Sequence, residues 1–181
     1  MIFQSFVNFF TGVFGIFFMA GVAYMAYLID VGDDVSIADM LVGFKHHALQ
    51  QVILFVLSVV LVLPMMILFG SVFFGYVMME QIPTGMTLIL MSLMMMVIMI
   101  PLAMALWLAP IVILFHGVSA WQAIQLSFKA CLANILPLSV LGVVMMLLGV
   151  VAMIPMGLGV LILMPIGLIV SYVVYKETLI G

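Results

Sequence analysis

Long apolar runs separated by short polar clusters dominate the pattern along this chain. The charged residues occur at few positions, which are Asp30, Asp33, Asp34, Asp39, Lys45, Glu80, Lys129, Lys176 and Glu177. The runs between them predict helical spans at about 6–28, 51–79 and 86–107, the last with an apolar extension to Phe115. Because a helix of about 20 residues crosses the hydrocarbon core of a bilayer, each run is long enough to span it.

A further uncharged stretch covers the 41 residues from 135 to 175. As a single helix it would be about 60 Å long, roughly twice the hydrocarbon thickness, so it must reverse direction. The sequence IPMGLG at 154–159 contains a proline that interrupts a helix and two glycines that permit a tight turn. The pattern therefore predicts a fourth span at about 136–154 and a fifth at about 158–175.

Composition supports this interpretation. Of the 181 residues, 70% are hydrophobic and 5% are charged, and the mean hydropathy is +1.60, which is typical of integral membrane proteins. Backbone groups in lipid must be paired within the protein, and runs of this length achieve that as helices rather than as barrel strands. We expect an all-α, multi-pass protein with a single transmembrane domain over residues 1–181. No cation precedes the first apolar run, so we interpret it as a retained span rather than a signal peptide.

Two polar connections between spans share a pattern. They are VSIADMLVGFKHH at 35–47 and VSAWQAIQLSFKA at 118–130. In each, a serine is followed three residues later by a side chain that can complete a capping box, which indicates the start of a helix. The pairs are Ser36 with Asp39 and Ser119 with Gln122.

Both segments are predicted to be short amphipathic helices in the headgroup region, with Trp121 at the interface. At about 100° per residue, large apolar side chains gather on one side of each helix. In the first segment these are Ile37, Met40, Leu41 and Phe44, and in the second they are Trp121, Ile124, Phe128 and Leu132.

The two connections also match at a Phe-Lys pair, Phe44-Lys45 and Phe128-Lys129. This match suggests a parallel internal repeat of span, interfacial helix and span. The repeat units would be 1–85 and 86–157, followed by the final span 158–175. The alternative is that any two connections on the same side of a membrane resemble each other.

The three cations indicate an orientation. In a five-span protein, Lys45, Lys129 and Lys176 all fall on one side of the membrane. Because Lys and Arg favour the cytoplasmic flanks of spans, we expect a cytoplasmic C-terminus and an N-terminus on the opposite side.

Candidate chemistry is sparse, because no ionisable residue lies in the middle of a predicted span. The single cysteine, Cys131, excludes an intramolecular disulfide and any CxxC motif. Histidines and aspartates near the cytoplasmic boundary could form a surface Zn²⁺ or Mn²⁺ site, but their spacing fits no established signature. The 20 methionines could bind Cu(I), yet adjacent pairs such as Met65-Met66 point in different directions and suit flexible packing. We expect no catalytic residue, no metal and no cofactor.

The chain resembles a known group of membrane proteins over about residues 20–178, including GDDVSIADMLVGFK in the first connection. The segments WLAPIVILFHGVSAWQAIQLSFKACLANILPL and IPMGLGVLILMPIGLIVSYVVYKE are similar to uncharacterised bacterial inner-membrane proteins related to the membrane domain of glycerophosphodiester phosphodiesterases. The shared positions are Ser119, Ala123, Ser127, Asn134, Tyr172 and Lys176. The resemblance implies a bacterial inner-membrane location and a multi-pass architecture, without an activity.

The sequence thus favours a non-enzymatic inner-membrane accessory or scaffold protein. Its expected partners are membrane lipid and other membrane proteins or a second copy of itself, with no nucleic acid. The surface expected to meet them is formed by the interfacial helices, at Ser36, Phe44, Lys45, Ser119, Trp121, Phe128 and Lys129. The alternative is a small permease or channel for an apolar or uncharged solute, since prolines in the spans can open a cavity.

Overall fold

In the computed structural model, the described residues are 2–79, 84–154 and 158–180, with side chains described from Phe14 onward except at residue 77. Over these ranges the chain is helical and forms no strand. The elements are α1 (Ile2–Val31), a 3-10 helix (Ile37–Leu41), α2 (Val42–Lys45), α3 (Ala48–Met78), α4 (Gly85–Trp107), α5 (Ala109–His116), α6 (Ala120–Ala133), α7 (Ile135–Met153) and α8 (Val160–Leu179).

Five helical segments are long and apolar enough to cross a membrane. They are Phe14–Val31, Ala48–Tyr76, Gly85–His116, Ile135–Met153 and Val160–Leu179. The prediction of an all-helical fold is therefore confirmed over the described residues, which contain the five long apolar helices that the predicted spans require. The predicted reversal at Pro155 and Gly157 lies outside the described residues.

The third span is broken at Leu108, where α4 ends and α5 begins with Pro110 in its first turn. Ser127 of α6 bridges this break. Its hydroxyl donates to the carbonyl of Met104 at 2.7 Å and accepts from the backbone N–H of Leu108 at 3.2 Å. In an unbroken helix these two backbone groups would bond to each other. One fully buried hydroxyl therefore satisfies both ends of the break.

The first connection folds back along α1. α1 ends in a Schellman turn, in which Gly32 has φ +81° and the N–H of Asp33 donates to the carbonyl of Leu28 at 2.9 Å. The capping box predicted at Ser36 and Asp39 is present and starts the 3-10 helix.

Close packing holds the folded-back segment against α1. A Cβ at Gly21 would overlap the backbone carbonyl of Met40, and one at Gly43 would lie 2.7 Å from the carbonyl of Phe17. The ring of Phe44 stacks on that of Phe17 with centroids 4.1 Å apart. Two glycines thus allow the connection and the span to meet backbone to backbone.

The second connection forms α6, whose predicted capping box at Ser119 and Gln122 is also present. α6 packs against α4 and α5 through a face of small residues, which are Ala120, Ala123, Ser127, Ala130 and Cys131. Of the predicted apolar stripe, Ile124 is buried, whereas Trp121 and Leu132 are 55% and 51% exposed. Small residues therefore form most of the protein contact, whereas Trp121 and Leu132 lie largely at the surface.

The packed core lies where the ends of several spans meet. It contains part of the second half of α1, the start of α3, the first five residues of α5, one face of α6 and the last turns of α8. By contrast, α7 buries only Ala152 among its residues in the described chain, and its apolar side chains are largely exposed. Each polar connection lies against the span that precedes it. The internal repeat and the placement of these connections in the headgroup region stay predictions.

Candidate functional site

The C-terminal ends of α1 and α8 meet through one carboxylate. The Lys176 ammonium lies 2.6 Å from Asp30 Oδ2, and the Tyr172 hydroxyl donates to the same oxygen at 3.1 Å. The Asp30 and Lys176 side chains are 39% and 45% exposed. Because an exposed ion pair contributes little to stability, its main effect is to place opposite charges side by side at an accessible position.

An aromatic cluster packs behind this pair. It joins α1, α5 and α8, and its members are Tyr24, Tyr27, Phe115, Tyr172 and Tyr175. Phe115 stacks on Tyr175 with ring centroids 5.2 Å apart, and the Tyr175 hydroxyl lies 3.0 Å from His116 Nε2. The cluster fixes the side chain of Tyr172, which is 5% exposed, and so fixes the hydroxyl that reaches Asp30.

A groove of about 690 Å³ runs between α1 and α8 and ends at this pair. Asp30 and Tyr172 are the lining residues that carry polar side-chain atoms. The others are Val22, Met25, Ala26, Ile29, Met40, Met164, Pro165, Leu168, Ile169 and Val173. The groove is open to the surroundings, since Ile29 and Met164 are 66% and 67% exposed. An apolar channel with a polar end has the shape and chemistry to take an amphiphile.

Helical spacing explains why the lining residues share one groove. On α1 the lining positions are 22, 25, 26, 29 and 30, and on α8 they are 164, 165, 168, 169, 172 and 173. Both sets follow the i, i+3, i+4 spacing of one helix face. Lys176 continues the α8 series one turn further and so reaches the polar end.

The predicted interface residues do not lie in this groove. In the first connection, Ser36 and Lys45 are exposed, and Phe44 packs on α1. In the second, Ser119 and Lys129 are exposed, as is most of Trp121.

A separate apolar groove of about 420 Å³ contains two of the second connection's large side chains. Trp121 and Phe128 line it with residues of α3 and α4, including Pro101. The two predicted segments therefore border different grooves, and their role as a binding surface stays a prediction. The first borders the α1–α8 groove through Met40 alone.

The residues that connect the helices carry little signal in the sequence. The Gln50 side-chain oxygen accepts from the N–H of Ala120 at 3.0 Å, which pairs a free backbone donor at the start of α6. The Gln51 side-chain amide donates to the carbonyl of Pro110 at 2.9 Å. In the sequence, the adjacent glutamines at the start of the second span indicate these contacts, because polar groups buried in a membrane protein need hydrogen-bond partners.

Metal-ligating side chains are dispersed. Over the ranges with described side chains, no three His, Cys, Asp or Glu residues lie close enough to hold a metal ion. Burial raises the pKa of the Cys131 thiol. A thiol with a raised pKa forms less thiolate at neutral pH and is correspondingly unreactive.

The fold and the groove define a multi-pass helical membrane protein with an apolar site at its flank. The chain matches no protein-family model, no curated protein and no solved structure.

Proposed function

We propose that this chain is a non-enzymatic accessory protein of the bacterial inner membrane that binds membrane lipid in the groove between α1 and α8. The observation that carries the proposal is the pairing of an apolar groove of about 690 Å³ with a polar end at Asp30 and Tyr172. A lipid has the same division, with an acyl chain to cover the groove and a headgroup to meet the charges.

The arrangement of the polar side chains supports a binding role. The buried hydroxyls of Ser127 and Ser171 donate to the backbone carbonyls of Met104 and Gly167, and the Trp107 indole donates to Ser171 at 3.0 Å. These groups hold helices together, which is the usual task of serine inside a membrane. The Asp30 and Lys176 side chains, by contrast, are both partly exposed at the groove.

The proposed orientation places the polar end of the groove in the cytoplasm. Lys176 lies at that end, and lysines favour the cytoplasmic flank of a span. This orientation gives a cytoplasmic C-terminus. Association with other membrane proteins, or of the chain with itself, stays a prediction, and the exposed apolar surface of α7 is available for it.

Lipid retention by the purified protein tests the proposal. Ile169→Trp should fill the groove, because Ile169 lines it and is 45% exposed. Ile166→Trp is the matched control, since Ile166 lies one turn away on α8, is 39% exposed and does not line the groove. Native mass spectrometry in mild detergent should show lipid bound to the wild type and to Ile166→Trp, and at least about fivefold less on Ile169→Trp. Equal lipid retention by the two variants would overturn the proposal.

A small permease for an apolar or uncharged solute is the second candidate. The groove of about 420 Å³ beside Pro101 favours it, because a proline-containing span, Gln125 and the aromatic rings of Trp121 and Phe128 meet there. Solute flux into proteoliposomes that falls on Phe128→Ala, but not on Ile169→Trp, would support transport over lipid binding. Flux indistinguishable from that of protein-free liposomes would rule it out.

A further inference from the structure

The chain segments that form the polar end of the α1–α8 groove carry more negative than positive charge. Residues 30–34 and 176–177 contain four carboxylates, of Asp30, Asp33, Asp34 and Glu177, and one ammonium, of Lys176, a formal balance of −3. The Schellman turn at the end of α1 keeps Asp33 near that end, because its N–H is bonded to the carbonyl of Leu28. An anionic headgroup would meet repulsion here, whereas a headgroup with a cation would be attracted.

The Asp30 carboxylate retains an oxygen for a ligand. Both side-chain hydrogen bonds that it accepts from the described chain, from Tyr172 and from Lys176, end on Oδ2. Asp30 lines the groove, and its side chain is 39% exposed. Oδ1 is therefore placed to accept a charge-assisted hydrogen bond from a donor on a bound molecule.

The ion pair is complementary to a zwitterion. Lys176, 45% exposed, can meet a phosphate oxygen while Asp30 meets an ammonium group. A primary ammonium has three N–H donors for such a contact, and a trimethylammonium has none. Hydrogen bonding at Oδ1 therefore favours the primary amine over choline, and the local charge disfavours headgroups with a phosphate but no cation.

We propose that the groove selects a phospholipid with a primary-amine headgroup, of the phosphatidylethanolamine class, with its ammonium on Asp30, its phosphate on Lys176 and an acyl chain between α1 and α8. This inference rests on the proposed lipid-binding function and adds the headgroup to it. The apolar part of the site runs along α1 from Val22 to Asp30, about 12 Å of helix, so it covers a part of one acyl chain.

A methylation series tests the headgroup without altering the protein. Delipidated full-length protein in detergent is titrated with phosphatidylethanolamine, its mono- and dimethyl derivatives, phosphatidylcholine and phosphatidylglycerol, all with identical acyl chains. Affinity should fall along the methyl series, with phosphatidylethanolamine bound at least about tenfold more tightly than phosphatidylcholine or phosphatidylglycerol. Equal affinity along the series, or tighter binding of phosphatidylglycerol, would overturn the inference.

A pair of charge-matched variants locates the contact. Asp30→Asn replaces the charged acceptor by a neutral, weaker one and should lower phosphatidylethanolamine affinity towards that of phosphatidylcholine. Phosphatidylcholine loses only electrostatic attraction, so its smaller decrease shows that the groove is still formed. Asp34→Asn removes the same charge without removing the proposed hydrogen bond and should change the preference by less than about twofold. A preference that survives Asp30→Asn contradicts the assignment.

The outcomes for the two proposals are distinct. Lipid binding that is sensitive to Ile169→Trp but indifferent to headgroup would leave the lipid-binding function standing and reject the selectivity. If Ile169→Trp does not lower lipid binding, the α1–α8 groove is not the binding site and both proposals fail.

Discussion

Lys176 and Asp30 form an ion pair at 2.6 Å although they are 146 residues apart in the chain. The contact joins the end of the fifth span to the end of the first. Two spans whose C-terminal ends meet run in the same direction, as the first and fifth spans of a five-span protein must.

This relationship predicts which residues share a side of the membrane. In a Cys131→Ala background, Asp33→Cys and Glu177→Cys should react with an impermeant maleimide from the same side, and Thr84→Cys from the opposite side. With the proposed orientation, intact cells should label only Thr84→Cys, and the other two should require permeabilisation. A complete inversion of this pattern would contradict the orientation alone, whereas labelling of Asp33→Cys and Glu177→Cys from different sides would contradict the fold.

The Ser127 hydroxyl, which bridges the break in the third span, should stabilise the folded protein. Ser127→Ala removes the hydrogen bonds to Met104 and Leu108 and should lower the free energy of unfolding by about 1–2 kcal/mol. Unfolding in a denaturing detergent, followed by tryptophan fluorescence, measures the change. Ser139→Ala is the control, because Ser139 is exposed and bonds only within its own helix, to Ile135; its effect should stay below about 0.5 kcal/mol. Equal losses from both substitutions would show that the bridge has no special role.

Two glycines of α1 should respond in opposite directions to alanine. A Cβ at Gly21 would overlap the Met40 carbonyl, whereas one at Gly15 would have no atom within 4 Å among its described surroundings. Gly21→Ala should therefore lower the free energy of unfolding by about 1–3 kcal/mol. Gly15→Ala should raise it by up to about 1 kcal/mol, because alanine is the better helix former. The same unfolding assay applies, and a neutral Gly21→Ala would mean that the first connection does not pack on α1.

Cys131 should be slow to react while the protein is folded. The thiol is fully buried, and its raised pKa reduces the thiolate fraction at neutral pH. N-ethylmaleimide at pH 7 should label it at least about tenfold more slowly than a cysteine at Leu132, which is 51% exposed, introduced as Leu132→Cys with Cys131→Ala. Unfolding should abolish the difference. Rapid labelling of folded wild-type protein would contradict the packing of α6.

The spans and the helix starts could be predicted because both are local properties of the chain. A span needs only a long apolar run, and a capping box needs two side chains three residues apart. For these reasons the predicted starts at Ser36 and Ser119 agree with the structure. The apolar extension to Phe115 is also helical, but as the separate helix α5, beyond a break at Leu108 that the pattern did not predict.

The packing faces could not be predicted in the same way. In water, hydrophobicity marks the side of a helix that faces the protein, but lipid is as apolar as a protein interior and removes that signal. α6 accordingly turns Ala123 and Ser127 inward and Trp121 outward. The α1–α8 groove could not be predicted either, because nothing in the sequence near Asp30 indicates that a lysine and a tyrosine from the far end of the chain contact it.

The distribution of the core also sets the order in which this protein can be assembled. Tyr172, Val174 and Tyr175 of α8 are part of the buried core, as are Ala23 and Ala26 of α1. During synthesis the first span enters the membrane long before the last one exists, so its inner face must be covered by something else until then. The packed state is therefore complete only after the fifth span has been inserted, and a ribosome that stalls before that point leaves the contacts of α8 with α1, α5 and α6 unmade.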